Sequence, residues 1–336
     1  MTAARAARRQ PRFDLVSLGE SMLRLSVPLG RRLEDARQLD LEVGGAESNV
    51  CADVAQLGWR CGWVGRLPDT ALGDIVLRML RTEGVDVSAV RRVPGERMGT
   101  YFIEYAAAPR SIQVIYDRAD SAAAHMTTAE VDWDYLLDTR VLHLTGITPA
   151  ISQSCYEIVA EAIQRARAAG VTVSFDVNYR ARLWSAAEAG RRLRPLMSEA
   201  NLLFCKGADA ALLFGCTGEP REVMSALQAL TRAEALYCTF GERGAALLDA
   251  EGFAAEPALP VQIVDRVGSG DAFAAGVLDA WLSTKPVMDA SSMRREGLRR
   301  GVALAAIALS QYGDRVLTSR AELESVMAQE RKDIVR

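Results

Sequence analysis

The spacing of apolar and polar residues changes character several times along this chain. Residues 13–20, FDLVSLGE, form a short apolar run ending at Gly19, the pattern of a buried parallel strand opening into a loop at its C-terminal end. Residues 21–43 then alternate: Met22, Leu23, Leu25 and Val27, and later Leu39, Leu41 and Val43, are interleaved with polar residues around a turn at Pro28 and Gly30. That spacing predicts an exposed antiparallel hairpin. After Gly44 and Gly45 a helix is expected, with Val50, Val54 and Leu57 on one face and Gly58 at its end, followed by the strand CGWVGRL. Residues 70–84 predict an amphipathic helix with Leu72, Ile75, Met79 and Leu80 turned inward. Residues 97–118 alternate again, Tyr101, Ile103 and Tyr105 on one strand and Ile112, Val114 and Tyr116 on its return, which predicts a second exposed hairpin. Paired, the two hairpins would build a small sheet over the main domain, a lid.

From residue 141 the pattern is strict alternation of strand and helix: VLHLTG, a helix around YEIVAEAIQRARAAG, VTVSFDVN, a helix near AAEAGRRLRPLM, NLLFC, the helix after GEPREVMSALQAL, EALYCTF, and a hairpin-like stretch through ALLDAEGFAAEPALP. Residues 297–312 read as a last apolar helix packing back on the sheet. Repeated strand–helix units imply an α/β fold, a doubly wound, mostly parallel sheet with helices on both faces, whose ligands bind beyond the C-terminal strand ends. No linker or low-complexity block divides the chain. Residues 13–336 read as one α/β domain with lid insertions at about 21–43 and 97–118, and residues 1–12, MTAARAARRQPR, as a disordered basic tail.

Composition narrows the chemistry. A length of 336 residues with 49% hydrophobic content supports a sizeable core, and a formal net charge of −3 with interleaved signs gives no footprint for nucleic acid or an anionic membrane. No stretch approaches a membrane span. The six cysteines are scattered and form no CxxC pair, the pattern of reduced thiols in a cytoplasmic protein. Two histidines without metal-ligand spacing leave a zinc site or a Ser-His-Asp triad poorly supplied, and His143, inside VLHLTG, reads as a core residue. Small-molecule chemistry is the remaining expectation.

The candidate chemistry centres on residues 265–282, DRVGSGDAFAAGVLDAWL. Gly268 and Gly270 let the backbone turn into a helix whose first amides lack intrahelical partners, which makes an anion cradle. Asp271 stands in the first turn, where a carboxylate repels a bound phosphate, so removal of a proton suits it better than binding. The same residues also suit an ordinary loop with Asp271 as helix cap. Gly44 and Gly45 allow either a ligand's close approach or a tight turn, and Asn49, a poor helix former, has no evident structural motive in the helix that follows. Asp176, Asn178 and Arg180 fall past one strand end, and Thr239 and Gly241 past another.

Taken in order, GGAESN, TFGERG and DRVGSGDAFAAG resemble the motifs of the ribokinase-like (PfkB-type) carbohydrate kinases along nearly the whole chain after residue 13. GGAESN with Glu47, YDRADSAAA at 116–124 and DVNYRARLW at 176–184 resemble the 2-keto-3-deoxygluconate kinase branch. The resemblance implies a phosphotransferase that uses Mg-ATP on a sugar hydroxyl. It gives Asp271 the role of base, the amides of Gly268, Ser269 and Gly270 that of anion hole, and Thr239, Gly241 and Gly244, with Gly268 and Gly270, the nucleotide. Gly44, Gly45, Asn49, Tyr101, Tyr116, Arg118 and Arg180 become sugar contacts, with the two arginines suited to a carboxylate or keto oxygen. The lid implies closure over the sugar and a homodimer or higher oligomer, and a monovalent cation near the C-terminal helix is compatible with the family.

This chain departs from the family pattern in having Arg266 and Val267 for two threonines, Ser269 for alanine, and Lys206 and Asp209 for an Asn-x-x-Glu; Asp209 is the candidate for an indirect metal contact. Asp117 and Asp120 are expected to offset Arg118. The alternatives are a kinase of a neutral ketose or pentose such as fructose or ribose, and a noncatalytic sugar- or nucleotide-binding module.

Overall fold

A computed structural model describes residues 10–106, 109–283 and 289–328. Nine residues of the expected N-terminal tail therefore lie outside it. The main sheet has nine strands, in the spatial order Gly252–Glu256, Ala245–Asp249, Ala235–Thr239, Leu202–Lys206, Thr172–Asp176, Thr139–Thr145, Phe13–Leu18, Cys61–Val64 and Val85–Asp86. All neighbours run parallel except the two pairs at the first edge, where the hairpin expected through ALLDAEGFAAE adds antiparallel strands. A buried parallel strand is apolar on both faces. Phe13–Leu18 obeys this, all six residues being buried, and a separate hydrophobic core lies on each side of the sheet.

The two alternating segments form a second, four-stranded sheet in the order Asp40–Gly44, Met22–Val27, Thr100–Glu104, Gln113–Asp117. Met22–Val27 and Thr100–Glu104 pair in parallel, so the hairpins are joined side by side. Register places Glu42, Arg24, Tyr101 and Tyr116 in one cross-strand row and Leu41, Leu25, Phe102 and Ile115 in the next, on opposite faces because side chains alternate along a strand.

Helix Ser269–Leu282 is the central support of the site. Eleven of its fourteen residues are buried, as its mostly apolar sequence requires, and it lies between helices Ala46–Gln56 and Ala290–Leu309. Gly276 and Gly301 permit the close approach: a Cβ on Gly276 would stand 2.5 Å from the Arg300 carbonyl oxygen, and one on Gly301 2.8 Å from the Phe273 ring. At its far end the buried Asp279 is held by Arg300, by Arg320 at 2.6 Å and by the Trp59 indole at 2.8 Å.

Two sequence expectations are corrected. The helix expected at 297–312 is Ala290–Leu309, beginning about two turns earlier because Asp289 caps it through the Ser292 amide, and ending at Leu309. In helix Ala71–Thr82 the buried face is Gly73, Val76, Leu77 and Leu80, while Leu72 is exposed. Gly73 must face inward because its Cα rests against the Pro68 carbonyl, where a Cβ would come within 2.3 Å, and this turns Leu72 to solvent.

Candidate active site

A cavity of about 300 Å³ lies between the small sheet and the C-terminal ends of the main strands. Its walls bring together Gly44, Gly45, Asn49, Tyr101, Tyr116, Arg118, Arg180 and the run Gly268–Asp271, contributed by segments far apart in the chain. Thr239, Gly241 and Gly244 do not line it. They occupy the end of the adjacent strand, where Thr239 pairs with Lys206, and the turn Gly241–Arg243 beyond it.

The loop before the central helix has the expected cradle geometry. Gly268 has φ +78°, a left-handed conformation that favours glycine, and the Ala272 amide closes the first helical turn onto its carbonyl at 2.8 Å. The amides just ahead of Ala272 have no acceptor in the helix. Ser269 turns its hydroxyl back to the Arg266 carbonyl at 3.1 Å, so its amide is what it offers the cavity. Gly270 has no positive φ, and a Cβ there would meet no atom within 4 Å.

Asp271 is the third residue of the helix and only 7% exposed. Its carboxylate accepts a 2.8 Å hydrogen bond from Asn49 Nδ2, and Asn49 Oδ1 in turn accepts the Gly45 amide at 3.3 Å. Asn49 thus bridges the Gly-Gly segment and the acid, which accounts for a poor helix former at that position. Burial pushes the Asp271 carboxyl up to about 7; the Asn49 bond and Arg180 pull it back, while Asp176 and Asp314 push it further up. A group balanced there can accept a proton near neutral pH.

The glycine pair makes room for protein atoms, not for a strained turn. Gly45 has φ 174°, ordinary extended backbone. A Cβ on Gly44 would fall 2.1 Å from the Tyr101 hydroxyl and 2.4 Å from Asp314 Oδ2, and one on Gly45 2.3 Å from the Glu20 carbonyl. Tyr101 spends its hydroxyl on Asp314 at 2.6 Å and stacks on Tyr116 with centroids 5.7 Å apart.

The two arginines differ. Arg118 is tied to the buried carboxylate of Glu20, which also accepts the Ser121 hydroxyl at 2.5 Å. Asp117 turns away to Arg97 at 2.6 Å, so Glu20 replaces the expected Asp117 and Asp120 as the charge opposite Arg118. Arg180, half-buried in the cavity wall, forms no ion pair among the described residues. Near it burial pushes Asp176 up to about 6 and raises Asp209, both offset by Lys206 and Arg180. Asp209 keeps a buried, unpartnered Oδ2, and Asn178, at φ 38°, an unpartnered Oδ1. Among the described residues no group of three or more His, Cys, Asp or Glu is arranged to hold a metal ion.

A family model described as "pfkB family carbohydrate kinase" matches residues 12–320. This chain belongs to the pfkB family of carbohydrate kinases. The pfkB chain is 36% identical over 314 residues to the 2-dehydro-3-deoxygalactonokinase of Haloferax volcanii, covering 94% of this chain and 96% of that protein. It is 33% identical to the 2-dehydro-3-deoxygluconokinase of Bacillus subtilis, covering 95% and 97%. Among solved structures it is similar to the 2-dehydro-3-deoxygluconokinase of Thermotoga maritima, with a TM-score of 0.87, 30% identity and coverage of 94% and 99%. A pfkB enzyme is a carbohydrate kinase, so the noncatalytic alternative falls away.

Glu20, Arg24, Asp265 and Asp314 are the charged residues around the cavity that the sequence reading passed over. Asp265 lies inside DRVGSGDAFAAG, and Arg24 interrupts the apolar MLRLSV on the strand face opposite Leu23, Leu25 and Val27, which alternation alone would turn outward although the fold buries it. Asp314 carries no such signal, since only folding brings it beside Tyr101.

Proposed function

We propose that this carbohydrate kinase transfers the γ-phosphoryl group of ATP to the primary hydroxyl of 2-keto-3-deoxygluconate. The observation that carries the proposal is the meeting, in one cavity, of a buried carboxyl balanced near 7, a helix N-terminus with free amides, and a guanidinium, Arg180, that forms no ion pair among the described residues. Asp271 takes the proton from the attacking hydroxyl, and Asn49 holds the carboxylate in place. The amides of Gly268, Ser269 and Gly270 stabilise charge on the transferred group with dipoles already aligned. Thr239, Gly241 and Gly244, on the strand end beside Lys206, take the distal part of the nucleotide. The orphaned oxygen of Asp209, with Asp176 nearby, suits a hard cation, and magnesium bound there would neutralise phosphate charge.

On the sugar side, Arg180 pairs with the carboxylate and Tyr116 packs along the chain. The small sheet serves as a lid that excludes water. Its outward row, Leu41, Leu25, Phe102 and Ile115, suits a second copy of the chain, with Leu41 46% and Ile115 47% exposed. Six free, buried cysteines suit a reducing cytoplasm. A second reading, a kinase of a neutral ketose, is favoured by the Glu20–Arg118 pair, which leaves Arg180 as the one unpaired arginine of the two. Kinetics of Arg180→Ala decide between them. A carboxylate contact predicts a larger rise in KM for the acid sugar than for fructose, whereas equal rises favour the ketose.

A further inference from the structure

The small sheet and the loop ahead of the central helix share a charged network that the proposed reaction does not itself use. Arg24, in strand Met22–Val27, lies on the same face as its register partner Tyr101 and is 0% exposed. A guanidinium so far from water needs carboxylates close by. Arg24 has Asp265 at 2.7 Å, Asp314 in direct contact and Glu42 at 3.3 Å. Tyr105, just past strand Thr100–Glu104, donates its hydroxyl to the same oxygen of Asp265, and its ring lies 5.5 Å from the guanidinium.

Asp265 and Asp314 both stand outside the small sheet, and each supports the cradle. The second oxygen of Asp265 accepts the Val267 amide at 3.0 Å, which fixes the bend leading into Gly268. The main chain of Asp314 fills the space beside Gly268, where a Cβ would lie 1.9 Å from its carbonyl oxygen. Both supports of Gly268–Asp271 therefore converge on one arginine carried by the small sheet.

We propose that Arg24 is a positioning residue: it sets the loop Asp265–Gly270 by the seating of the small sheet, so that the anion cradle is aligned only when that sheet is in place. The inference rests on the kinase reading above. Without Arg24 two buried carboxylates lose their cation and repel, and the loop they brace shifts away from the transferred group.

The test is steady-state kinetics of the full chain with ATP and the sugar that the parent enzyme turns over best. Arg24→Ala is expected to lower kcat by about 10²-fold, the effect of a small misplacement of reacting groups. Its sugar KM should stay within about threefold, since an interaction made in the transition state is lost. Guanidinium chloride, at concentrations that leave the parent unaffected, should restore part of kcat. Tyr105→Phe keeps Arg24 and the fold and should lower kcat by about fivefold with KM unmoved; it decides alone if Arg24→Ala does not fold. An unchanged kcat in Tyr105→Phe, or a loss in Arg24→Ala that falls on KM alone, overturns the proposal. Parent turnover with parent-like variants sinks this inference only, while a parent inactive on every sugar sinks the kinase reading and this one with it.

Discussion

Asp271 combines burial, a donor on Asn49 and a position in the first turn of a helix, and each has a measurable consequence. Asp271→Asn should lower kcat by about 10² to 10⁴, the range for losing a positioned general base, with nucleotide affinity retained. Because the base must be ionised, kcat/KM should fall on the acid side through the value near 7 that burial gives the free enzyme. The sign for stability is opposite to that of an ion-paired aspartate. The folded-state value lies above the unfolded one, so the folded chain holds the extra proton between about pH 4 and 7, and the stability it brings is lost as pH rises through that window. Asp271→Asn should therefore melt at a higher temperature than the parent at pH 8 while turning over far more slowly; a lower melting temperature would contradict the burial argument. Arg180→Ala removes a charge that holds Asp271 down, so its acid limb should move to higher pH as its KM for an acid sugar rises.

The loop and strand ends around that residue were legible to different degrees. Strand–helix alternation after residue 141 exposed the parallel sheet because both-face burial leaves continuous apolar runs, and period-two patterning revealed the two hairpins. Their parallel joining and the Glu20–Arg118 pair were not legible, since both depend on contacts between distant segments. Helix Ala71–Thr82 was read with Leu72 inside because periodicity favours the larger residue, whereas close packing at Gly73 decides the face. Gly268 and Gly270 looked equivalent in sequence and differ in the fold. Gly268→Ala forces a Cβ into the Asp314 carbonyl at positive φ and should lower both melting temperature and kcat. Gly270→Ala meets no protein atom, so it should melt like the parent and lose turnover only by crowding the transferred phosphate. Thermal melts beside kinetics on the two variants check this; matched destabilisation would remove the distinction.

The molecule sets a two-core platform against a small sheet whose inner face closes the cavity and whose outer row, Leu41, Leu25, Phe102 and Ile115, is apolar. If that outer face is the contact between copies, Phe102→Glu should shift the protein from dimer to monomer in light scattering, and an unchanged mass would assign the contact elsewhere. Arg24 and Tyr105 join the sheet to the cradle, so loosening the sheet should be felt in kcat before affinity. The central claim, phosphoryl transfer from ATP to an acid sugar, is tested most directly by ADP release over a panel of keto-acid sugars, ketoses, pentoses and nucleosides. The expected result is the highest kcat/KM with 2-keto-3-deoxygluconate; ADP release that favours fructose or ribose, or none with any keto-acid sugar, would contradict it.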